Sequence, residues 1–244
     1  PWRLRNAHVI PVVNGRPDLG ALAALPQGVT VSLLSQAPPG APAAAALGDI
    51  RLDLHPFAAV NGATFSDVLA IRVARGAALD RPLQVAYLAV EGGSPTLVAP
   101  RTVVTLDDGA EATVVETFAG GAASTLCCPV TELVVGDGAR LRHVAVQDEH
   151  PEAAHVALRQ VRLGRDAAFT SHAVALGGRL ARTEIDAELT GEGADCRLYG
   201  LALTDGEQLA DSHVVVRHAA PRCTSEQQYR GVLAGRSRGV FTGR

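Results

Sequence analysis

The chain has 244 residues, with 22 basic against 25 acidic side chains, a formal net charge of −3 and 47% hydrophobic residues. That is enough for one large domain with a real core, and the balanced charge excludes the clustered basic face that nucleic acid requires. No apolar run approaches the roughly 18 residues of a membrane span and no secretory signal pattern is present, so the expected setting is the cytoplasm, with no membrane or nucleic-acid partner.

Residues 1–48 read as an N-terminal segment and linker. Within them residues 29–34 suggest a short strand, and Pro38-Pro39-Gly40-Ala41-Pro42 is a breaker. Residues 49–244 form the core. Leu69, Ile71 and Val73 share one face with Arg72 on the other, and Thr183, Ile185, Ala187 and Leu189 alternate with Glu184, Asp186 and Glu188. Both are period-2 patterns of half-buried strands, and the acidic row reads as the water-facing side rather than a calcium site.

A repeat organises this core. Asp107-Asp108-Gly109-Ala110, Gly136-Asp137-Gly138-Ala139, Gly164-Arg165-Asp166-Ala167 and Gly191-Glu192-Gly193-Ala194 each precede a strand-like run, their alanines spaced by 29, 28 and 27 residues. Gly76-Ala77 reads as a more distant earlier member. A turn, a strand, a bend and a second strand cannot bury an apolar face alone, whereas stacked units bury a continuous core and pair every inner edge. The period favours an all-β solenoid over a sandwich, whose turns would recur every 8–12 residues or so.

The chemistry-bearing residues are sparse. All basic residues are Arg, so no Schiff-base, phosphate-loop or general-base Lys exists here. Cys127, Cys128, Cys196 and Cys223 contain no CxxC, and reduced thiols are expected; on a strand the vicinal pair points to opposite faces. Gly235-Arg236-Ser237-Arg238-Gly239 matches a nucleophile elbow literally, but the run after it reads as strand rather than helix, so a Gly-rich hairpin corner is the better account. His150 and His155 straddle Pro151-Glu152 in a polar stretch that reads as a solvated loop. His213, His218 and Cys223 are the denser candidates. The two histidines are five apart and face opposite ways on a regular strand, so buried, hydrogen-bonded His and a small apolar Cys are the default reading.

The segment Asp211-x-His213-x4-His218-Ala219-Ala220-Pro221-x-Cys223-Thr224-Ser225-x3-Tyr229-Arg230-Gly231-Val232 closely resembles the SufB/SufD family of iron–sulfur cluster assembly proteins, on its SufD side. Phe169-Thr170-Ser171-His172, Leu189-x-Gly191-Glu192-Gly193-Ala194-x-Cys196, Asn61-x3-Phe65-x-Asp67, Val130-Thr131-Glu132 and Arg238-Gly239-Val240-Phe241-x-Gly243 extend the match over roughly residues 55–244. The resemblance implies a right-handed β-helix core and a non-catalytic scaffold. That scaffold pairs with a SufB-like subunit and docks a SufC-type ATPase through a C-terminal region absent from this sequence. It also implies no stably bound cofactor, but a transient iron–sulfur cluster in the assembled complex. His213, His218 and Cys223 are the near-site candidates; a homodimer of this chain is left open. Arg230 stands where the family usually has Lys, and the family's Cys-Ser/Thr-His-Gly-Ala segment is not present, so the chain reads as a core fragment truncated at its C-terminus. The alternatives are a β-helix polysaccharide-active enzyme, which would need paired carboxylates or a cation site beside aromatic platforms, or a structural solenoid. The chain has one Trp and three Tyr, and no enzymatic activity is expected.

Overall fold

A computed structural model of the chain describes residues 3–22, 24–37, 47, 50, 54–90 and 96–244. The breaker at Pro38–Pro42 and the 48/49 boundary lie outside the described residues. In chain order the elements are β1 (His8–Val13), β2 (Arg16–Pro17), β3 (Val29–Leu33), α1 (Pro56–Thr64), β4 (Val68–Val73), β5 (Leu83–Ala89), β6 (Thr96–Val98), β7 (Arg101–Leu106), β8 (Glu111–Gly120) and β9 (Thr125–Cys127). They continue as β10 (Val130–Val135), β11 (Arg140–Glu149), β12 (Ala154–Leu163), β13 (Ala168–Ala175), β14 (Leu180–Leu189), β15 (Asp195–Thr204), β16 (Leu209–His218), β17 (Thr224–Leu233) and β18 (Arg238–Gly243).

The strands form two sheets, and from β10 to β18 successive strands go alternately to sheet B and sheet A. Sheet A runs β17-β15-β13-β11-β8-β5-β1-β2, and sheet B runs β18-β16-β14-β12-β10-β7-β4-β3 with β6 and β9 attached beside β12. From β4 to β18 every pairing is parallel, giving a β-solenoid of about six turns. At the first coil β2 and β3 pair antiparallel to β1 and β4 and cover the edges that the parallel stack would otherwise expose.

The repeat read from the sequence is the corner between a strand of sheet B and the next strand of sheet A. Its left-handed position is filled by Gly76, Gly109, Gly138, Asp166, Gly193 and Arg222, all at positive φ, where glycine meets no Cβ penalty. The following residue points inward: Ala110, Ala139, Ala167 and Ala194 are fully buried. Corner amides bond to the next coil, from Gly109 N–H to Asp137 O at 2.8 Å and from Gly138 N–H to Arg165 O at 2.7 Å. The Asp108 and Asp137 carboxylates accept further N–H bonds from Asp137 and Arg165.

Inward side chains stack in register. Val73, Leu106, Val135, Leu163 and Leu189 form one aliphatic ladder across sheet B, each at most 1% exposed, and each burial is worth roughly 1.5–3 kcal/mol. Gly235 to Gly239 form the corner from β17 in sheet A to β18 in sheet B. This corrects the hairpin expectation: β17 and β18 belong to different sheets and do not pair with each other. Ser237 Oγ donates to Ala234 O at 2.8 Å and serves the turn.

The acidic row is also corrected. Glu184 and Asp186 do point away from the core, but they are only 8% and 6% exposed. His55, the N-cap of α1, covers them, with Nδ1 at 2.6 Å from Glu184 Oε2 and Nε2 at 3.6 Å from Asp186 Oδ2. Arg182 and Arg217 pair with Glu184 and Asp186 from the sheet itself. Further along α1, Asn61 donates to Pro100 O at 2.9 Å and Cys128 O at 2.8 Å, pinning the helix to sheet B.

Candidate functional site

The candidates His213, His218 and Cys223 occupy three different environments. His213 lies on the outer face of β16, next to the inward, fully buried Val214. His218 has the opposite parity, as expected, and sits exposed at the end of β16 with Nε2 3.0 Å from Ser225 Oγ. Cys223 follows Arg222 at a solenoid corner and so takes the position held by alanine in the earlier coils. Its thiol donates to Gly191 O at 3.3 Å and it packs on the core.

The polar chemistry lies inside the solenoid instead. Glu116, an inward residue of β8, is 1% exposed and accepts four hydrogen bonds. Tyr87 Oη at 3.2 Å and Thr131 Oγ1 at 2.6 Å donate to Oε1; His143 Nε2 at 3.1 Å and Arg159 Nε at 2.9 Å donate to Oε2. Because Tyr87 gives its proton to Glu116, the Thr102 hydroxyl donates to the tyrosine oxygen, at 2.7 Å. Likewise His143, with its proton on Nε2, accepts from Ser171 at Nδ1, at 3.0 Å. Burial opposes the charge on Glu116, but Arg159 and the His143 hydrogen bond win and hold it well below the usual carboxylate range. Burial in turn keeps His143 below its ordinary value and neutral. Glu116 is therefore an anion with its lone pairs occupied, suited to ordering the core rather than to taking a proton from a substrate.

Beside this network is a cavity of about 270 Å³ whose wall includes Gln147, His155, Arg159, Ser212, Tyr229 and Phe241. It exists because small residues, Ala145, Ala173, Gly200 and Ala202, occupy inward positions of sheet A. Three polar atoms of its lining residues have no hydrogen-bond partner among the described residues: His155 Nδ1, Arg159 Nη1 and Tyr229 Oη.

His155 departs from the solvated-loop reading. It is 1% exposed, because β12 starts at Ala154 and pairs His155 with Cys127 of β9. The same parity that sends Arg159 and Val161 inward carries His155 inward. Its Nδ1 lies 2.8 Å from Glu149 Oε2, off the line of a good hydrogen bond. Its ring meets Phe118 edge-on at 4.8 Å. Burial and the neighbouring Glu149 charge push the Cys127 thiol up, while His155 outweighs burial in holding the Glu149 carboxyl below its ordinary value. Cys127, Glu149 and His155 offer donor atoms that all lie within 4.8 Å of one another.

None of Glu116, Glu149 or Arg159 stands out in the linear chain as part of a motif. The signal that marks them is a charged residue at an inward position of an alternating run, such as Glu116 between Val114 and Phe118. Parity alone cannot say which residue across the core meets it.

The family described as SUF system FeS cluster assembly, SufBD core domain, matches residues 88–244. A Synechocystis protein described as an iron–sulfur cluster assembly SufBD family protein is 23% identical over 199 residues, covering 77% of this chain and 44% of its own length. A family protein of the same description from Mycobacterium tuberculosis H37Rv is 36% identical over 104 residues, covering 43% and 26%. The iron–sulfur cluster assembly protein SufD of Escherichia coli K12 is 29% identical over 176 residues, covering 71% and 42%. The chain spans less than half the length of each of these relatives.

Proposed function

The chain belongs to the SufBD family, and from that premise we propose that it is the β-helix core of a SufD-like, non-catalytic scaffold subunit for iron–sulfur cluster assembly in the cytoplasm. In this reading it pairs with a SufB-like subunit, and a SufC-type ATPase binds the complex through chain outside these 244 residues. The cluster is cargo that forms transiently in the assembled complex. The observation that carries the proposal is the coincidence of the family match over residues 88–244 with the stacked coils from the end of β5 through β18. A rigid solenoid offers a long, fixed surface to a like partner. The interior supports the same reading, since Glu116 is fully engaged by its four partners.

The test mixes the full-length protein with its SufB-like and SufC-like counterparts and reads stoichiometry by size-exclusion chromatography with light scattering. One stable complex containing all three is expected. Separate elution of folded components would overturn the proposal. His213, His218 and Cys223 remain the proposed near-site residues; cluster assembly that survives alanine at all three in the full-length protein would remove them.

A further inference from the structure

We propose that Cys127, Glu149 and His155 form a mononuclear site for a divalent transition-metal ion within the solenoid, with one coordination position open toward the adjoining cavity. The site is independent of the scaffold reading. Three elements build it: Cys127 ends β9, His155 is its direct neighbour across the parallel β9–β12 ladder, and Glu149 ends β11 in the facing sheet. The three residues are 2%, 1% and 5% exposed, respectively.

Their chemistry selects the ion. A thiolate, an imidazole and a carboxylate are a mixed S, N and O set that suits Zn²⁺ or Fe²⁺, whereas Mg²⁺ and Ca²⁺ want oxygen alone. Metal–ligand bonds of about 2.0–2.3 Å place neighbouring donors a little over 3 Å apart, so donors already within 4.8 Å need only small side-chain rotations. His155 Nδ1 and Glu149 Oε2 are in close approach without a well-formed hydrogen bond, the posture of two donors aimed at a common point. Electrostatics agree: a dication with one carboxylate and one thiolate is neutral, which limits the cost of burying it. On binding, the Cys127 S–H bond breaks, a metal–sulfur bond forms, and the proton leaves to solvent.

The surroundings are those of a supported site. Gln147 Nε2 donates to Glu149 Oε2 at 3.1 Å while its Oε1 accepts from Gly177 N–H at 3.2 Å, fixing the carboxylate. Phe118 braces the imidazole. Of the three donors only His155 reaches the wall of the 270 Å³ cavity, so the remaining coordination position faces that space and takes water or a small anionic ligand.

The experiment titrates the reduced, anaerobic full chain with Co²⁺, whose thiolate-to-metal charge-transfer band reports a sulfur ligand. One Co²⁺ per chain with that band, displaced by Zn²⁺, is expected. Cys127→Ser abolishes the band, while Cys196→Ser, at another buried core thiol, retains it. Gln147→Ala, which leaves all three ligands in place, weakens binding by about tenfold or more, so the proposal stays testable even where Cys127→Ser fails to fold by circular dichroism. A folded wild-type chain that shows no charge-transfer band, or a band that survives Cys127→Ser, overturns the assignment. Binding without the band places the ion on surface carboxylates and overturns it equally.

Discussion

Replacing Glu116 by Gln leaves Arg159 buried with a neutral partner, and a broken buried pair costs about 3–5 kcal/mol. Urea unfolding should show that loss, with the m-value unchanged. The same cluster sets the acid limb of stability. Folded His143 lies below its ordinary value of 6.5 and folded Glu116 below 4.5, so on acidification the unfolded chain takes up protons that the folded chain refuses. Stability is therefore full above about pH 6.5, declines first through His143, and falls further below about pH 4.5 through Glu116. A urea midpoint that is flat from pH 7 to pH 4 would contradict this. At alkaline pH the sign reverses through thiols: burial pushes Cys128 up to about 11 and Cys196 up to about 12, so stability falls as unfolded thiols ionise from about pH 9. Under native conditions a thiol reagent should modify half-buried Cys223 first, and Cys128 and Cys196 only on unfolding.

At the level of the corner, glycine is needed for two different reasons, a positive φ at Gly138 and the close approach of two coils at Gly191. Gly138 has φ +66° with open space around a built Cβ. Gly138→Ala should cost about 1–2 kcal/mol, the left-handed penalty alone. At Gly191 a Cβ would lie 2.0 Å from Arg165 N, in the backbone of the coil below. Gly191→Ala must push two coils apart and should cost more than Gly138→Ala, as thermal denaturation of the two variants would reveal. Cys223→Ala, by contrast, restores the residue that the corner uses in the preceding coils and should stay within about 1 kcal/mol. The repeat was legible up to Ala194 because each of those corners keeps a Gly shortly before its inward Ala, even where Asp166 holds the left-handed position; the corner Ala220-Pro221-Arg222-Cys223 has no Gly and Cys in place of the inward Ala, so the signature disappears while the geometry persists.

Across the whole molecule, stability is distributed along a stack in which each coil touches only its neighbours, so the ends matter most. β2 and β3 close the first-coil edges of the two sheets. Removing residues 3–37 should expose β5 and β4 as open parallel edges and shift the protein toward association, read as a rise in mass by light scattering at constant concentration. Covering is also what turned the acidic row into buried charge. His55→Ala should loosen α1 and remove the imidazole that covers Glu184 and Asp186, leaving the Arg182 and Arg217 pairs in place, seen as faster amide exchange in α1 without loss of the sheets.

The all-β class, the stacked repeat, the strand parity and the family resemblance were all present in the linear chain. Each depends on local or periodic features: a left-handed corner favours Gly, a strand alternates every two residues, and a coil has nearly constant length. The sequence also showed that His213 and His218 oppose each other, since five residues on a strand is an odd step. Only the tertiary structure decided which inward residues meet. Glu116 with Arg159, and Cys127 with Glu149 and His155, are brought together by inter-coil register and by the approach of two facing sheets. Those are distances across the core, which no period along the chain encodes. The same reason explains His155: a polar stretch around Pro151-Glu152 looks solvated until β9 and β12 pair and carry the imidazole into the interior.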